Sequence, residues 1–314
     1  MVATRARAIA LTAAASAGAS TASVRAQARA SIHVAVVPSE GAAEVFYAKD
    51  MGFFTKAGLN IDMTSFASGA QILTAAGGNA VDIGLSNTAN LANAIAHGAP
   101  FTIIAGAGLY TAAHPTVELM VPLNSPLRTA KDLVGKTISV TALKDLTEVG
   151  TRAWLRRNGV DPNTVKFVEL PMAQMPAGLD RGTFDAGIVA EPFLSGVRKT
   201  LRVLGSPYDA IGPQFLIANW FSSTDYVKKN PDIIKRFVAA TYETARWANA
   251  NHAASGKILA KWGKMDPALF DTMTRCEYAT SLDPKYIDPV LDAMYRYEAI
   301  DKHLTTADLV TKIT

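Results

Sequence analysis

Few of the side chains able to do chemistry are grouped in a way that catalysis requires. Cys276 is the one cysteine, so it has no intramolecular disulfide partner, and no catalytic partner can be identified for it. The expectation for it is a small packed residue on a C-terminal helix. The five histidines, His33, His97, His114, His252 and His303, show no metal-ligand spacing. No metal or cofactor is expected. The chain lacks a Gly-x-Ser-x-Gly elbow and the glycine-lysine phosphate loop. Gly106-Ala107-Gly108 sits at an expected strand end, without the third glycine and the helix of a dinucleotide site. The usual grounds for proposing an enzyme are therefore missing.

Polar residues do recur where strands turn into helices. These positions are Ser39-Glu40-Gly41, Ser68-Gly69, Ser86-Asn87-Thr88, the loop 142–147 with Lys144, Asp145 and Thr147, Pro171-Met172, and Ala190-Glu191-Pro192. In open parallel α/β sheets, ligands sit outside the carboxyl ends of the strands. Hydroxyl and amide side chains beside unpaired helix N–H groups suit a small polar or anionic group. The expected ligand contacts are Ser39, Glu40, Ser68, Gly69, Ser86, Asn87, Thr88, Lys144, Asp145, Thr147, Ala190 and Glu191. A structural role is open to most of them. Ser39, Ser68, Asn87 and Thr147 can cap helices, and Glu40 and Glu191 can sit in first helical turns, where a carboxylate favours the dipole. Trp220 can line a cleft or pack in the core, and the core is the expectation.

Charge leaves the ligand open. Lys144 is the one basic residue in these loops, against Glu40, Asp145 and Glu191. If the acids face a cleft, a zwitterion, an amine or a neutral heterocycle fits better than a bare anion. If they point away as caps, helix N-termini alone can hold an anion.

The elements that would position these loops alternate strand and helix. A strand at 32–37 is followed by a helix at 45–51 that Gly52 ends, with Phe53 and Phe54 plugging the turn. Gly58 supplies a left-handed cap before a strand begins at Leu59. Later units give strands at 81–86, 101–109, 117–121, 137–140, 165–170, 185–190 and 215–222, with helices between them. The run 89–113 is apolar, but Asn90, Asn93, His97, Gly98 and Pro100 interrupt it, so helix, turn and buried strand fit it better than a membrane span. Asn230-Pro231 is expected to cap a long helix whose stripe is Ile234, Phe237, Val238, Thr241, Ala245 and Ala248. The remainder of the chain reads as helical. Gly78-x-x-x-Asp82-x-Gly84 and Gly182-x-x-Asp185-x-Gly187 form a faint repeat, as two like-built halves would give.

The 314 residues, 49% hydrophobic and 18% charged, make a globular chain long enough for two domains. Residues 1–30 differ in kind. Arg5 and Arg7 precede a short apolar stretch at 9–19 and an Ala26-Gln27-Ala28 cleavage pattern, which reads as a secretory signal. Four arginines and no acid lie in this leader, so the formal +4 falls to zero without it. A nucleic-acid partner is not expected.

As a pattern, "YAKDMGFF" followed by "KAGLNID" resembles the first unit of periplasmic substrate-binding proteins of the nitrate/sulfonate/taurine and thiamine-pyrimidine (NMT1/THI5-like) type. The passage Lys131-Asp132-Leu133-Val134-Gly135-Lys136 resembles the family's entry into its second lobe, and Ala190-Glu191-Pro192-Phe193 its second-lobe loop. The resemblance runs from about residue 31 to the C-terminus. It implies an α/β, two-lobed periplasmic-binding-protein fold (type II), each lobe a mixed sheet flanked by helices, with the ligand cleft between lobes. Lobe 1 would comprise residues 31–116 and 214–314, lobe 2 residues 117–213, with the C-terminal helices buttressing lobe 1. The implied function is capture of a small polar organic or anionic nutrient, sulfonate-, taurine-, nitrate- or pyrimidine-like, and delivery to an ABC importer permease by hinge closure. The protein would be a monomer, exported to the periplasm and free there, since no lipobox cysteine follows the leader. A thiamine-pyrimidine synthase-like enzyme would need a cysteine cluster that this chain lacks. A ligand-sensing domain would need a DNA-binding or membrane segment.

Overall fold

The computed structural model describes residues 30–310; the expected leader, residues 1–30, lies outside them but for Ala30, which opens the first strand. Among the described residues the strands are β1 (Ala30–Val36), β2 (Leu59–Ser65), β3 (Ile83–Ser86), β4 (Phe101–Gly106), β5 (Gly108–Thr111), β6 (Val117–Pro122), β7 (Thr137–Val140), β8 (Lys166–Glu169), β9 (Ala186–Ala190), β10 (Leu201–Gly205), β11 (Gln214–Leu216), β12 (Asn219–Ser223) and β13 (Glu277–Tyr278). They form two five-stranded sheets, ordered β2-β1-β3-β12-β4 and β10-β6-β9-β7-β8, and a small sheet β11-β5-β13. Helices cover the large sheets, so β3 and β4 are buried along their length and read as apolar runs rather than alternating ones.

The two large sheets share one plan. In each, a single strand, β12 or β6, runs against the other four. From its far edge the second sheet reads β8-β7-β9-β6-β10, which matches the first strand for strand. The repeat in the sequence marks equivalent positions. The Asp82 carboxylate accepts from the His33 N–H at 2.8 Å, and the Asp185 carboxylate accepts from the Thr137 N–H at 2.8 Å. Each aspartate ties the strand it precedes to the parallel neighbour of that strand, β1 or β7. The chain leaves the first sheet after β4 and rejoins it at β12, which makes two crossings.

Those crossings differ from the expected strands. The single strands expected at 101–109 and 215–222 are each two strands, broken side by side at Ala107 and at Ile217-Ala218. There the Ala107 N–H donates to the Ala218 carbonyl at 3.0 Å, and the Ile217 N–H to the Gly108 carbonyl at 2.9 Å. β5 then pairs with β11 on one side and with β13 on the other. A Cβ on Gly108 would lie 2.8 Å from the Gly41 backbone and 3.0 Å from Cys276 Sγ. Gly106-Ala107-Gly108 is thus a close-packing device.

Cys276 is buried as expected, but in the segment entering β13 rather than on a helix. Its Sγ–H donates to the Leu109 carbonyl at 3.4 Å. The apolar run at 89–113 is the helix Thr88–Ala96, a turn and the successive strands β4 and β5. Among the described residues no helix is long and apolar enough to cross a membrane.

The stripe of the helix Pro231–Ala250 is buried at Ile234, Phe237, Thr241, Ala245 and Ala248, with Val238 half-buried. Asn230 makes no side-chain cap there; its amide donates to the Tyr226 carbonyl. This helix and His252–Gly263 pack on the first lobe, whereas the helix Asp288–Arg296 packs against both Thr88–Ala96 and Leu146–Arg157. The C-terminal region therefore reaches both lobes. Glu44 is buried beneath the first sheet, where Trp220 Nε1–H donates to it at 3.0 Å, and Trp220 is fully buried.

Gly108→Ala should lower stability by about 1–3 kcal/mol, because backbone lies in the path of the added carbon. Urea unfolding checks this, and an unchanged midpoint would show that the crossing can spread.

Candidate ligand cleft between the lobes

The loops that leave the parallel strands at their carboxyl ends converge from both lobes on a cleft of about 490 Å³. The first lobe contributes the segment after β1 (Val37 to Gly41), the turn after β2 (Phe66 to Gly69), and Ser86 and Asn87 after β3. The second lobe contributes Thr141, Ala142 and Asp145 to Thr147 after β7, Pro171 to Gln174 after β8, and Ala190 and Glu191 after β9, where the Glu191–Pro192 peptide is cis. The crossings supply Thr116, Tyr208, Ile217 and Ala218.

Three helices of nine residues or more begin at this cleft, each with its cap made. The Ser68 Oγ accepts from the Gln71 N–H, and the Asn87 Oδ1 from the Asn90 N–H at 2.7 Å. The Asp145 Oδ1 accepts from the N–H groups of Thr147 at 2.8 Å and Glu148 at 3.2 Å. A helix leaves its first N–H groups without intrahelical partners, and one cap satisfies only some of them. Asp145, not Thr147, caps the third helix. The Thr147 hydroxyl donates to Asp145 Oδ1 at 2.6 Å and accepts from the Thr141 N–H at 2.9 Å, and the Thr141 hydroxyl also donates to Asp145. Ser39 makes no side-chain cap bond.

Ten of the twelve expected residues line the cleft: Ser39, Glu40, Ser68, Gly69, Ser86, Asn87, Asp145, Thr147, Ala190 and Glu191. Thr88 and Lys144 do not. The Thr88 hydroxyl donates to the Leu216 carbonyl at 2.7 Å and accepts from Asn219, so it ties the helix to the crossing. Lys144 is exposed, at a left-handed turn residue whose N–H donates to Glu148. With it gone, none of the described lining residues is Lys, Arg or His. The contributions of Thr116, Tyr208 and Ile217 have no local signal in the sequence, because long-range pairing of the crossings brings them in.

All three cleft acids are buried, and burial raises each pKa. Asp145 is pushed from 3.8 to about 6, against the opposing hydrogen bonds of Thr141 and Thr147. Glu40 is raised by burial, opposed by Arg275 and the Cys276 N–H; Arg275 Nε–H donates to Glu40 Oε1 at 2.8 Å. Glu191 is raised by burial and opposed by Ser195, whose N–H and Oγ–H donate to it at 3.0 and 2.7 Å. Glu40 Oε2 and Ser86 Oγ are buried and take no hydrogen bond.

A cleft between two like-built α/β lobes, joined by paired crossings, is the periplasmic binding protein fold. The solved aliphatic sulphonate binding protein SsuA from Escherichia coli superposes with a TM-score of 0.73 at 18% identity, covering 90% of this chain and 97% of that one. The alkanesulfonate-binding protein SsuA from Xanthomonas axonopodis pv. citri, bound to MOPS, gives 0.74 at 19% identity, covering 90% and 98%. Among curated proteins, the taurine-binding periplasmic protein of Escherichia coli (strain K12) is 26% identical over 225 residues, 70% of this chain and 67% of that protein. The NMT1/THI5 like family model matches residues 40–255, and the chain belongs to that family.

The raised Asp145 pKa sets a sign for pH. The folded state holds this proton more tightly than the unfolded chain, so Asp145 lowers stability as pH climbs from about 4 to about 6, and its effect is level above that. Asp145→Asn keeps the acceptor oxygen and should flatten that part of the stability profile. Urea midpoints across this window check it, and an unaltered slope would contradict the assignment.

Proposed function

We propose that this chain is a solute-binding protein of an ABC importer, one that captures a small polar organic or anionic nutrient between its lobes. The observation that carries this is the convergence of strand-end loops from both lobes on one cleft with three helix N-termini at its wall. Family membership supports it, as do the taurine- and sulfonate-binding names of its relatives. Those relatives are binding proteins rather than enzymes. Sulfonate-, taurine-, nitrate- and pyrimidine-like solutes form the candidate set. The ten lining residues named above are the proposed ligand contacts.

The mechanism follows from the architecture. A solute held by one lobe gains contacts with the other only when the lobes close, so binding shifts the population to the closed form. A permease would read that form. The protein acts as a periplasmic monomer after loss of a leader whose residues, Ala30 aside, lie outside those described.

A thermal-shift panel of sulfonates, taurine, nitrate, aminopyrimidines and amino acids tests the reading. A solute at 100 times its dissociation constant should add about 2.7 kcal/mol of stability, a rise of a few degrees. Asn87→Ala with Glu191→Ala should cut affinity for the responding solute by about tenfold or more, while unfolding stays cooperative. A panel without any responder, after refolding to strip carried-over ligand, contradicts solute capture.

A further inference from the structure

We infer that the captured solute presents a nitrogen-borne hydrogen-bond donor, an amine or an N–H heterocycle, between Glu40 of the first lobe and Glu191 of the second. Its apolar body would lie against Phe66, Leu85, Met172, Phe193 and Ile217. This inference rests on the solute-capture reading above and narrows its ligand.

Four observations converge on it. Glu40 is 1% exposed and lines the cleft; its Oε1 accepts from Arg275 Nε–H and the Cys276 N–H, while Oε2 accepts nothing. A buried carboxylate oxygen without a donor is costly, and a solute N–H at the cleft floor would remove that cost.

Second, the acids have no cationic counterweight among the described lining residues. Arg275 pairs with Glu40 from behind, outside the cleft lining. It also donates to the Tyr47 hydroxyl, the Ser255 hydroxyl and the His252 carbonyl. Arg198 acts on Glu191 from outside the lining as well. A bare anion would meet Glu40, Asp145 and Glu191 with only helix N-termini to hold it.

Third, the two glutamates come from opposite lobes and meet where the lobes touch: the Glu40 N–H donates to the Glu191 carbonyl at 3.5 Å. Each Glu191 carboxylate oxygen accepts one bond from Ser195, and the Thr274 N–H also acts on the carboxylate, so the group keeps acceptor capacity for one more donor. Closing the lobes brings like charges together, and a donor between them turns that repulsion into attraction. Fourth, the walls are largely apolar, and the volume is that of a site for an organic molecule rather than a small inorganic ion.

Calorimetric titration of the chain with matched pairs is the test. The pairs are 3-aminopropanesulfonate and propanesulfonate, 4-(aminomethyl)benzoate and 4-methylbenzoate, and 4-amino-2-methylpyrimidine and 2-methylpyrimidine, with nitrate as the bare anion. At least one amino member should bind about 100-fold tighter than its twin, because a site built to accept a donor rejects the analogue lacking it. Which pair responds separates an amine from a heterocycle. Glu40→Gln and Glu191→Gln should each reduce that preference to about tenfold or less. If Glu40→Gln fails to fold because Arg275 loses its partner, Glu191→Gln carries the test. Tighter or equal binding of a twin or of nitrate overturns the inference and leaves solute capture standing. No binding by any compound here, with a response elsewhere in the thermal-shift panel, also overturns it; silence in both assays removes both readings.

Discussion

The structure depends on one constraint: two chain crossings must run side by side through the narrow zone between two sheets. β5 and β11 meet this by pairing with each other over three residues, and β13 braces the outer edge of β5. Aromatic rings fill the space beneath. Tyr110, Tyr208 and Phe215 lie with centroids 5.2 to 5.6 Å apart, and the Tyr110 hydroxyl donates to Asp209 at 2.6 Å. The glycines at 106 and 108 let this packing close, since side chains there would strike neighbouring groups at 3.0 Å or less. The small sheet β11-β5-β13 and the helix Asp288–Arg296 link the lobes, while each lobe keeps its own sheet. The cleft sits directly over the crossings, and Tyr208 and Ile217 belong to both the crossing region and the cleft wall.

The electrostatics of the cleft follow from how each buried acid is compensated. Glu40 is paired with Arg275, Asp145 is bound by a helix N-terminus and two threonines, and Glu191 is bound by the backbone and hydroxyl of Ser195. Each arrangement makes a buried carboxyl tolerable, and none places a cationic side chain on the cleft surface. Breaking such a buried pair is far more damaging than the pair is stabilising, because the partner is left uncompensated. Glu44, bound by Trp220 Nε1–H, is held well above the carboxylate range by burial and sits in the core away from the cleft.

Much of the architecture was legible because it is locally encoded. The left-handed turns at Gly52 and Gly58, the caps at Ser68 and Asn87, and the repeated Asp-x-Gly at 82–84 and 185–187 each specify a local geometry that the structure realises. The placement of most site residues followed from a rule about strand ends, which needs only the strand assignments. What local reading could not supply was pairing between distant segments. Ala107 and Ile217-Ala218 look like strand interior until the opposite crossing is in place, and only then does the shift of partner break both strands. Lys144 and Thr88 sit beside true lining residues, yet a left-handed turn carries one outward and a bond to the Leu216 carbonyl turns the other away. The reach of the helix Asp288–Arg296 to both lobes is likewise set by tertiary packing, which its own stripe does not reveal.

We propose that this link lets the lobes close on a solute held between them. The most direct measurement is the distance between spin labels on introduced cysteines at Ala70, on a first-lobe helix at the cleft, and Leu143, on the second-lobe loop opposite. Both positions are exposed, and the native Cys276 is 1% exposed, so labels go to the introduced sites. With a saturating solute that raises the melting temperature, the distance distribution should shorten and narrow. An unchanged distribution at saturation would mean that solute binds without closure, and the account of how this fold works would be wrong.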